Sequence, residues 1–391
     1  MRLNKFKNKY DVVFYYPQHF NRSSIGTNPF FDPIIKLCKE DKLNYILLEE
    51  PDKKTKFPRN KAAIKFDFLM YVIILLRKIF PLIFFDKTRC YDQLIGRILN
   101  PLTLYQFSST IYITISNSMI TVLSGFSKNS CVYDLQHGII HDIHKGYFDD
   151  DGNLRNQLKN KNICFLLYGK GFADIFLKKG DFLDDKNKNR VKVVGNVIEN
   201  NNVNNNHSTI KNKIVYTLQI NGDLSKKDLN LEKKELDNFI KSNEEIFLKN
   251  KISLLLKHHP RFDNVIELDD IISGYSFVSI TTCSISNLVP IVFLHITKSS
   301  TTIFDFSVYG IPSFIIPNDF GLKIFNNIFN YPLASMNLKE LIEVYFYSHK
   351  KYIKYSNEIK KWEKFFYEPF NRGVFTDLLQ LNKNEILTNL D

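Results

Sequence analysis

Residues 199–207 read ENNNVNNNH, a patch too rich in asparagine to bury itself, and the same alternation of short apolar runs and helical stretches occurs on both sides of it. Ahead of the patch, Tyr10–Tyr16 (YDVVFYY) is β-branched and aromatic. A polar loop with Gly and Pro follows over Pro17–Pro29, then a helical pattern near Pro33–Lys39. Tyr45–Leu48, Cys131–Leu135 and Val191–Val197 continue the strand pattern. Beyond the patch, Ile214–Ile220, Ile252–Lys257, Ser276–Ile280, Pro290–Ile296 and Ser313–Ile316 read as strands. Leu231–Ser242 reads as a helix, and Ile303–Tyr309 as a short apolar helix closed by Gly310-Ile311-Pro312. Two runs of alternating strand and helix predict an α/β protein of two Rossmann-like, doubly wound domains facing a central cleft. The length of 391 residues suits two cores. The expected divisions are an N-terminal domain at 1–198, an Asn-rich linker at 199–209 and a second domain at 210–350. Helices at 351–391 are expected to pack back across the cleft and brace both domains.

The charge balance narrows the partners. Lys and Arg number 53 against 41 Asp and Glu, a net +12, which favours an anionic partner. No zinc-finger, RRM or basic-zipper pattern is present and the lysines are spread along the chain, so nucleic acid is not expected. Five cysteines (Cys38, Cys90, Cys131, Cys164 and Cys283) are widely spaced without C-x-x-C, which supports neither a disulfide framework nor a cysteine zinc site and fits a reducing compartment. Residues 1–9 are basic but lack a following signal-peptide core, so a cytoplasmic protein is expected. Phe66–Phe85 (FDFLMYVIILLRKIFPLIFF) is nearly long enough to span a bilayer, yet Arg77, Lys78 and Pro81 interrupt it. It reads first as a helix packed inside the N-terminal domain, and second as a helix at the inner-membrane surface.

P-loop, dinucleotide-binding, nucleophile-elbow and zincin motifs are all absent. Asp149-Asp150-Asp151-Gly152 reads as a solvated turn. Three clusters remain, each directly after a predicted strand. The first, CVYDLQHGIIHDIHKGY at Cys131–Tyr147, holds three of the nine histidines, His137, His141 and His144, within eight residues. Gly138 permits a tight turn or the close approach of a ligand, and His137 stands at the carboxyl end of a strand, where α/β folds carry their chemistry. The histidine spacings of four and three suit a helix face better than a closed metal site, so no metal is expected. The second cluster is Lys257-His258-His259-Pro260-Arg261, a basic turn able to hold a phosphate. In the third, Thr297-Lys298-Ser299-Ser300-Thr301-Thr302, consecutive hydroxyls precede a helix, an arrangement suited to an anion as well as to simple capping.

Together, Q-H-G at Gln136-His137-Gly138, H-P at His259-Pro260 and the Ser-Ser motif followed by G-x-P resemble bacterial surface-polysaccharide glycosyltransferases of the GT-B fold. The likeness is to capsular Kdo transferases and bacterial sialyltransferases, and it covers roughly Cys131–Pro317. It implies a metal- and cofactor-free transferase that moves a sugar from a nucleotide-activated donor, CMP-sugar before UDP- or GDP-sugar, to a capsule, lipopolysaccharide or lipooligosaccharide glycan. His259, Ser299 and Ser300, with Lys257, Arg261 and Thr301, would hold the donor phosphate. The first domain would take a glycan or lipid-linked acceptor, with Gln136, Gly138, His141 and His144 lining the cleft. The family's acidic D/E-D/E-G motif is replaced here by the Q-H-G stretch, which leaves His137, Asp142 and Asp134, in that order, as candidates for the general base, with the later Asp149-Asp150-Asp151-Gly152 run kept open because it formally reads as that motif at another place in the chain. Direct displacement would invert the anomeric centre. A CDP-alcohol phosphotransferase of teichoic-acid type and a non-catalytic glycan-assembly protein are the alternatives.

Overall fold

The computed structural model describes residues 10–55, 57–84, 90–127, 130–182, 184–198, 210–220, 224–259 and 265–388. The chain forms two compact units, Met1–Glu199 with Glu368–Asp391, and Asn200–Tyr367.

In the first unit the strands are β1 (Tyr10–Pro17), β2 (Tyr45–Glu50), β3 (Ile64–Lys65), β4 (Ser109–Ile115), β5 (Cys131–Leu135), β6 (Ile163–Leu167) and β7 (Val191–Val193). Every pairing is parallel, in the order β3-β2-β1-β4-β5-β6-β7. Helices cover the faces of such a sheet, so its central strands are apolar on both sides, and Val12–Tyr16 of β1 is buried throughout. The strand order reverses between β1 and β4. In doubly wound sheets that is where a crevice opens at the carboxyl ends of the strands.

The second unit repeats the plan with β8 (Lys213–Thr217), β9 (Ser253–Lys257), β10 (Val278–Ile280), β11 (Val292–Thr297) and β12 (Ser313–Ile315), all parallel, in the order β10-β9-β8-β11-β12. Its reversal lies between β8 and β11. A core of Val215, Leu255, Val292, Phe306 and Ile311 packs beneath the sheet.

Several elements differ from expectation for identifiable reasons. β7 and β8 end earlier than their apolar runs, because Val194–Val197 and Leu218–Ile220 leave the sheet as loops while Val194, Val197, Leu218 and Ile220 stay buried. The helix expected at Leu231–Ser242 spans Lys226–Lys249. Its polar first turn is set by a capping box in which the Ser225 hydroxyl accepts from the Asp228 N–H and the Asp228 carboxylate accepts from the Ser225 N–H, a signal invisible to apolar periodicity. The helix Asp67–Ile83 is not packed inside the first unit as first expected, since only Ile73 and Phe80 along it are buried. No helix among the described residues is long and apolar enough to cross a membrane.

The C-terminal helices part company. His349–Phe366 belongs to the second unit, where Trp362 stacks on Phe304 and its indole N–H donates to the Phe329 carbonyl at 2.7 Å. Arg372–Thr388 belongs to the first, entered through the Asn371 N–H bonded to the Val194 carbonyl at 2.8 Å.

Candidate functional site

In the first unit β5 delivers Asp134 and then Gln136-His137-Gly138 at its carboxyl end. Asp134 is buried. Its Oδ1 accepts from the Asn117 N–H at 2.6 Å and its Oδ2 accepts from the Tyr147 hydroxyl at 2.7 Å. Burial pushes its pKa from the ordinary 3.8 up to about 7, against the pull of those two donors. The Asn117 bond anchors a turn at the end of β4 in which Ser116, Asn117 and Met119 all have left-handed backbone, with φ of 56°, 49° and 53°. Asp134 therefore braces a strained turn beside the β1–β4 reversal, and both its oxygens are engaged in doing so.

Gln136 is likewise internal. Its amide N–H donates to the Gly138 carbonyl at 2.7 Å and its amide oxygen accepts from the Tyr168 N–H at 2.8 Å. It shapes the turn and has no exposed surface to offer a ligand. Gly138 takes φ of 71°, which a side chain would strain. His137 is half-buried, with its ring edge-on to Phe20 at 4.6 Å and Phe30 at 5.2 Å.

The stretch after Gly138 is a series of turns rather than the helix its histidine spacing suggested. His141 and His144 nevertheless meet, with ring centres 5.4 Å apart. Burial lowers the His144 pKa, and its Nδ1 accepts from the Gly146 N–H at 3.1 Å. Asp142 is half-buried, and its Oδ1 is enclosed with no hydrogen-bond partner among the described residues. No group of His, Cys, Asp and Glu suited to holding a metal ion occurs among the described residues. Asp149-Asp150-Asp151-Gly152 forms an exposed turn between Phe148 and Leu154. Asp149 borders a cavity of about 560 Å³ whose other walls include Gln93, Thr121, Ser124, Arg155 and Asn156.

Two further histidines, outside the three clusters, make specific contacts. His19, after β1, bonds Asp52 through Nδ1 at 2.8 Å. In the second unit His295, in the middle of β11, is fully buried beneath the Ser-Ser loop. Its Nδ1 pairs with the Ser313 hydroxyl at 2.8 Å, while its Nε2 pairs with the hydroxyls of Thr217 at 2.9 Å and Thr302 at 3.2 Å. Burial drives its pKa from the ordinary 6.5 to about 3, so it is a neutral tie between β8, β11, β12 and the following helix. The available signal was a lone histidine in the apolar strand VFLHIT.

The Ser-Ser loop leaves β11 at the β8–β11 reversal. Gln219, from the loop after β8, clamps it: its amide oxygen accepts from the Ser299 N–H and its amide N–H donates to Ser299 Oγ at 2.9 Å. The Ser300 N–H donates to Thr297 Oγ1 at 3.0 Å, and Ser300 Oγ accepts from the Thr302 N–H at 3.3 Å. Both serine oxygens thus accept a bond while neither hydroxyl proton finds an acceptor among the described residues. Thr301 flanks the helix and makes no capping bond with its side chain. That helix is only Thr302–Ser307, shorter than expected, so its dipole adds little beyond the loop's own donors. A Cβ built at Gly321 would stand 2.1 Å from the Lys298 carbonyl oxygen, so glycine is what lets the next helix close on the loop.

The second cluster is partly engaged elsewhere. Lys257 donates to the Cys283 carbonyl at 2.6 Å and burial lowers its pKa. In the third cluster Lys298 is likewise engaged, in ion pairs with Glu232 at 2.7 Å and Glu235 at 2.6 Å. His259 is exposed just past β9. Arg261 lies outside the described residues. Because β9, β8 and β11 are neighbours, His259, Gln219 and the two serines share one edge of the sheet, spread over about 10 Å at ordinary strand spacing.

No family model and no curated protein matches the chain. Solved structures do. The wall teichoic acid polymerase TagF in a form soaked with CDPG is similar over 97% of this chain and 90% of that one, with TM-score 0.51 and 13% identity. A putative UDP-N-acetylglucosamine 2-epimerase from Listeria monocytogenes is similar over 98% of both chains, with TM-score 0.51 and 11% identity. The UDP-GlcNAc 2-epimerase from Neisseria meningitidis bound to UDP-GlcNAc covers 96% of this chain and 99% of its own, with TM-score 0.50 and 10% identity. At such identities the likeness concerns the fold. The chain has the α/β architecture of the GT-B type, with two units each built on a parallel sheet.

Proposed function

We propose that this protein is a glycosyltransferase that moves a sugar from a nucleotide-activated donor to a growing bacterial surface glycan, without a metal ion. The observation that carries the reading is the pair of hydroxyls on Ser299 and Ser300, held in place by Gln219, Thr297 and Thr302 yet with unused protons, at the strand-order reversal of the second unit. Donors oriented before the ligand arrives, and turned to where charge develops on a leaving phosphate, are an efficient form of transition-state stabilisation. His259, on the same sheet edge, adds a further donor to a ligand of nucleoside-diphosphate length.

In the reaction the acceptor hydroxyl oxygen bonds to the anomeric carbon as the bond from that carbon to the donor phosphate breaks. The nucleotide leaves with the electron pair, and the hydroxyl proton passes to a base of the first unit. A single displacement of this kind inverts the anomeric centre. His137 and Asp142 are the candidates for the base, since both oxygens of Asp134 are already engaged. The amide and hydroxyl lining of the Gln93–Asn156 cavity supports a glycan as the first unit's ligand, because such groups match sugar hydroxyls. The resemblance to Kdo transferases and sialyltransferases favours a CMP-sugar and a capsule or lipopolysaccharide acceptor. The likeness to a teichoic acid polymerase soaked with CDPG favours the second reading, transfer of an alcohol phosphate from a CDP carrier, with the same serines on the phosphate.

The test is a thermal-shift panel of the metal-free protein with CMP, CDP, UDP and GDP, repeated on Ser300→Ala and His259→Ala. A nucleotide at about 100 times its Kd stabilises the native state by about 2.7 kcal/mol. A shift with one nucleotide that both substitutions reduce names the donor class. No shift with any of the four, in the presence or absence of a glycan acceptor, would leave a non-catalytic assembly protein as the better reading.

A further inference from the structure

We infer that the helix Asp67–Ile83 is a docking surface for an anionic lipid bilayer, an assignment independent of the reaction proposed above. Its side toward the first unit buries Ile73 and Phe80. The opposite side is the unusual one. Phe68, Tyr71, Leu75 and Leu82 are 76%, 63%, 55% and 66% exposed. At 3.6 residues per turn, positions 68, 71, 75 and 82 fall within about 60° of one another, on the side turned away from Ile73 and Phe80. A surface helix of a soluble domain places charged residues there. This one leaves a contiguous apolar stripe in water, the mark of a surface meant to be covered.

The charges around the stripe say what covers it. Asp67 is taken up by Arg59 at 2.7 Å, and Arg77 by both oxygens of Asp92 at 2.7 Å. Among the described residues of this segment, the remaining exposed charges are Lys61 and Lys65, just ahead of the helix, and Lys78, which falls at the edge of the stripe at the helical repeat. All three are basic and none has an ion-pair partner among the described residues. An apolar stripe with lysines at its margin is the pattern of a helix lying in the plane of a membrane interface, with its side chains reaching past anionic headgroups. A second copy of the chain fits less well: a two-fold contact through this stripe brings Lys78 and its image into one apolar interface, in a protein of net charge +12. At 17 residues the helix is about 25 Å long and lies on the bilayer rather than across it.

The full-length protein is sedimented with vesicles of phosphatidylcholine alone and of phosphatidylcholine with one quarter phosphatidylglycerol. Three variants accompany it: Phe68→Ser/Leu75→Ser/Leu82→Ser, Lys78→Ala, and a control at the exposed Leu231→Ser on the second unit. Because the stripe is exposed, the triple variant should keep the wild-type melting temperature. Wild type and the Leu231 control should bind the anionic vesicles, the triple variant should lose at least about 30-fold in partitioning, and Lys78→Ala about fivefold, with a weaker dependence on salt. Equal binding by wild type and the folded triple variant overturns the assignment. So does failure of wild type to bind anionic vesicles, and a dimer in sedimentation equilibrium that the triple variant dissolves would then give the stripe to a second copy. The nucleotide panel on the same variants separates this result from the proposed reaction, since none of the substituted residues belongs to the Ser-Ser loop.

Discussion

The two strand-edge clusters are built from similar polar residues and use them in opposite ways. In the Q-H-G region, Asp134 and Gln136 direct their polar atoms inward, to the N–H groups of Asn117 and Tyr168, the Gly138 carbonyl and the Tyr147 hydroxyl. In the Ser-Ser region the internal bonds stop at the serine oxygens and leave two O–H groups over. A donor or acceptor enclosed with all its valences filled sets shape, whereas one that is positioned but only partly satisfied can bind a ligand at little cost in reorganisation. Polar residues at a strand end thus include both kinds, and only the hydrogen-bond inventory tells them apart.

The largest effect expected from breaking this contrast is at Gly321. Gly321→Ala forces a Cβ to within 2.1 Å of the Lys298 carbonyl, which is backbone and cannot swing aside. A loss of about 3 kcal/mol in urea unfolding is expected, together with loss of any nucleotide response, because the Ser-Ser loop must move. A wild-type response from a stably folded Gly321→Ala would mean the loop is not the binding element. Next comes Asp134→Ala, which leaves the Asn117 N–H and the Tyr147 hydroxyl without an acceptor in the interior and should lower stability by about 2 kcal/mol.

The contrast sharpens with pH, where the two units should respond with opposite sign. Asp134 holds its proton in the folded state up to about 7 and releases it near 3.8 when unfolded, so the folded state binds more protons over that range and stability falls as pH rises from about 4 to 7. His295 stays neutral in the folded state down to about 3 but is protonated below 6.5 when unfolded, so its contribution is present above 6.5 and lost as pH falls. Melting curves across this range should show Asp134→Asn gaining on wild type as pH rises, and His295→Gln gaining on wild type as pH falls. Parallel profiles for a variant and wild type would remove that residue from the account. The smallest effect on stability is expected from Ser300→Ala, within about 0.5 kcal/mol because the residue is only half-buried, yet it should reduce the nucleotide-induced shift. A large loss of stability there would make Ser300 a structural cap instead.

Much of the fold is legible along the chain. The runs at β1, β2, β5 and β9 stand out because a parallel sheet covered on both faces demands mostly apolar residues. The clusters after β5, β9 and β11 are equally visible, since polar residues gather where each apolar run stops. Less visible is what each polar atom bonds. Gln219 carries no motif and lies about 80 residues from the serines it clamps, and Asp134 and Asn117 meet only because β5 and β4 are neighbours in the sheet. The helix Asp67–Ile83 misleads for a related reason: a sequence apolar all round reads as buried, and nothing local states that one side has no protein against it.

The sequence by itself determined the alternation of strand and helix, the place where it restarts and the residue types at each strand end, because these depend on side-chain periodicity within a few residues of chain. The tertiary structure decided which of those residues are engaged and which are available: that Asp134 is a brace held near neutrality, that His295 is a buried neutral tie, and that Ser299 and Ser300 keep their protons. Availability depends on burial and on partners brought together by strand order, and neither is a property of a short stretch of sequence.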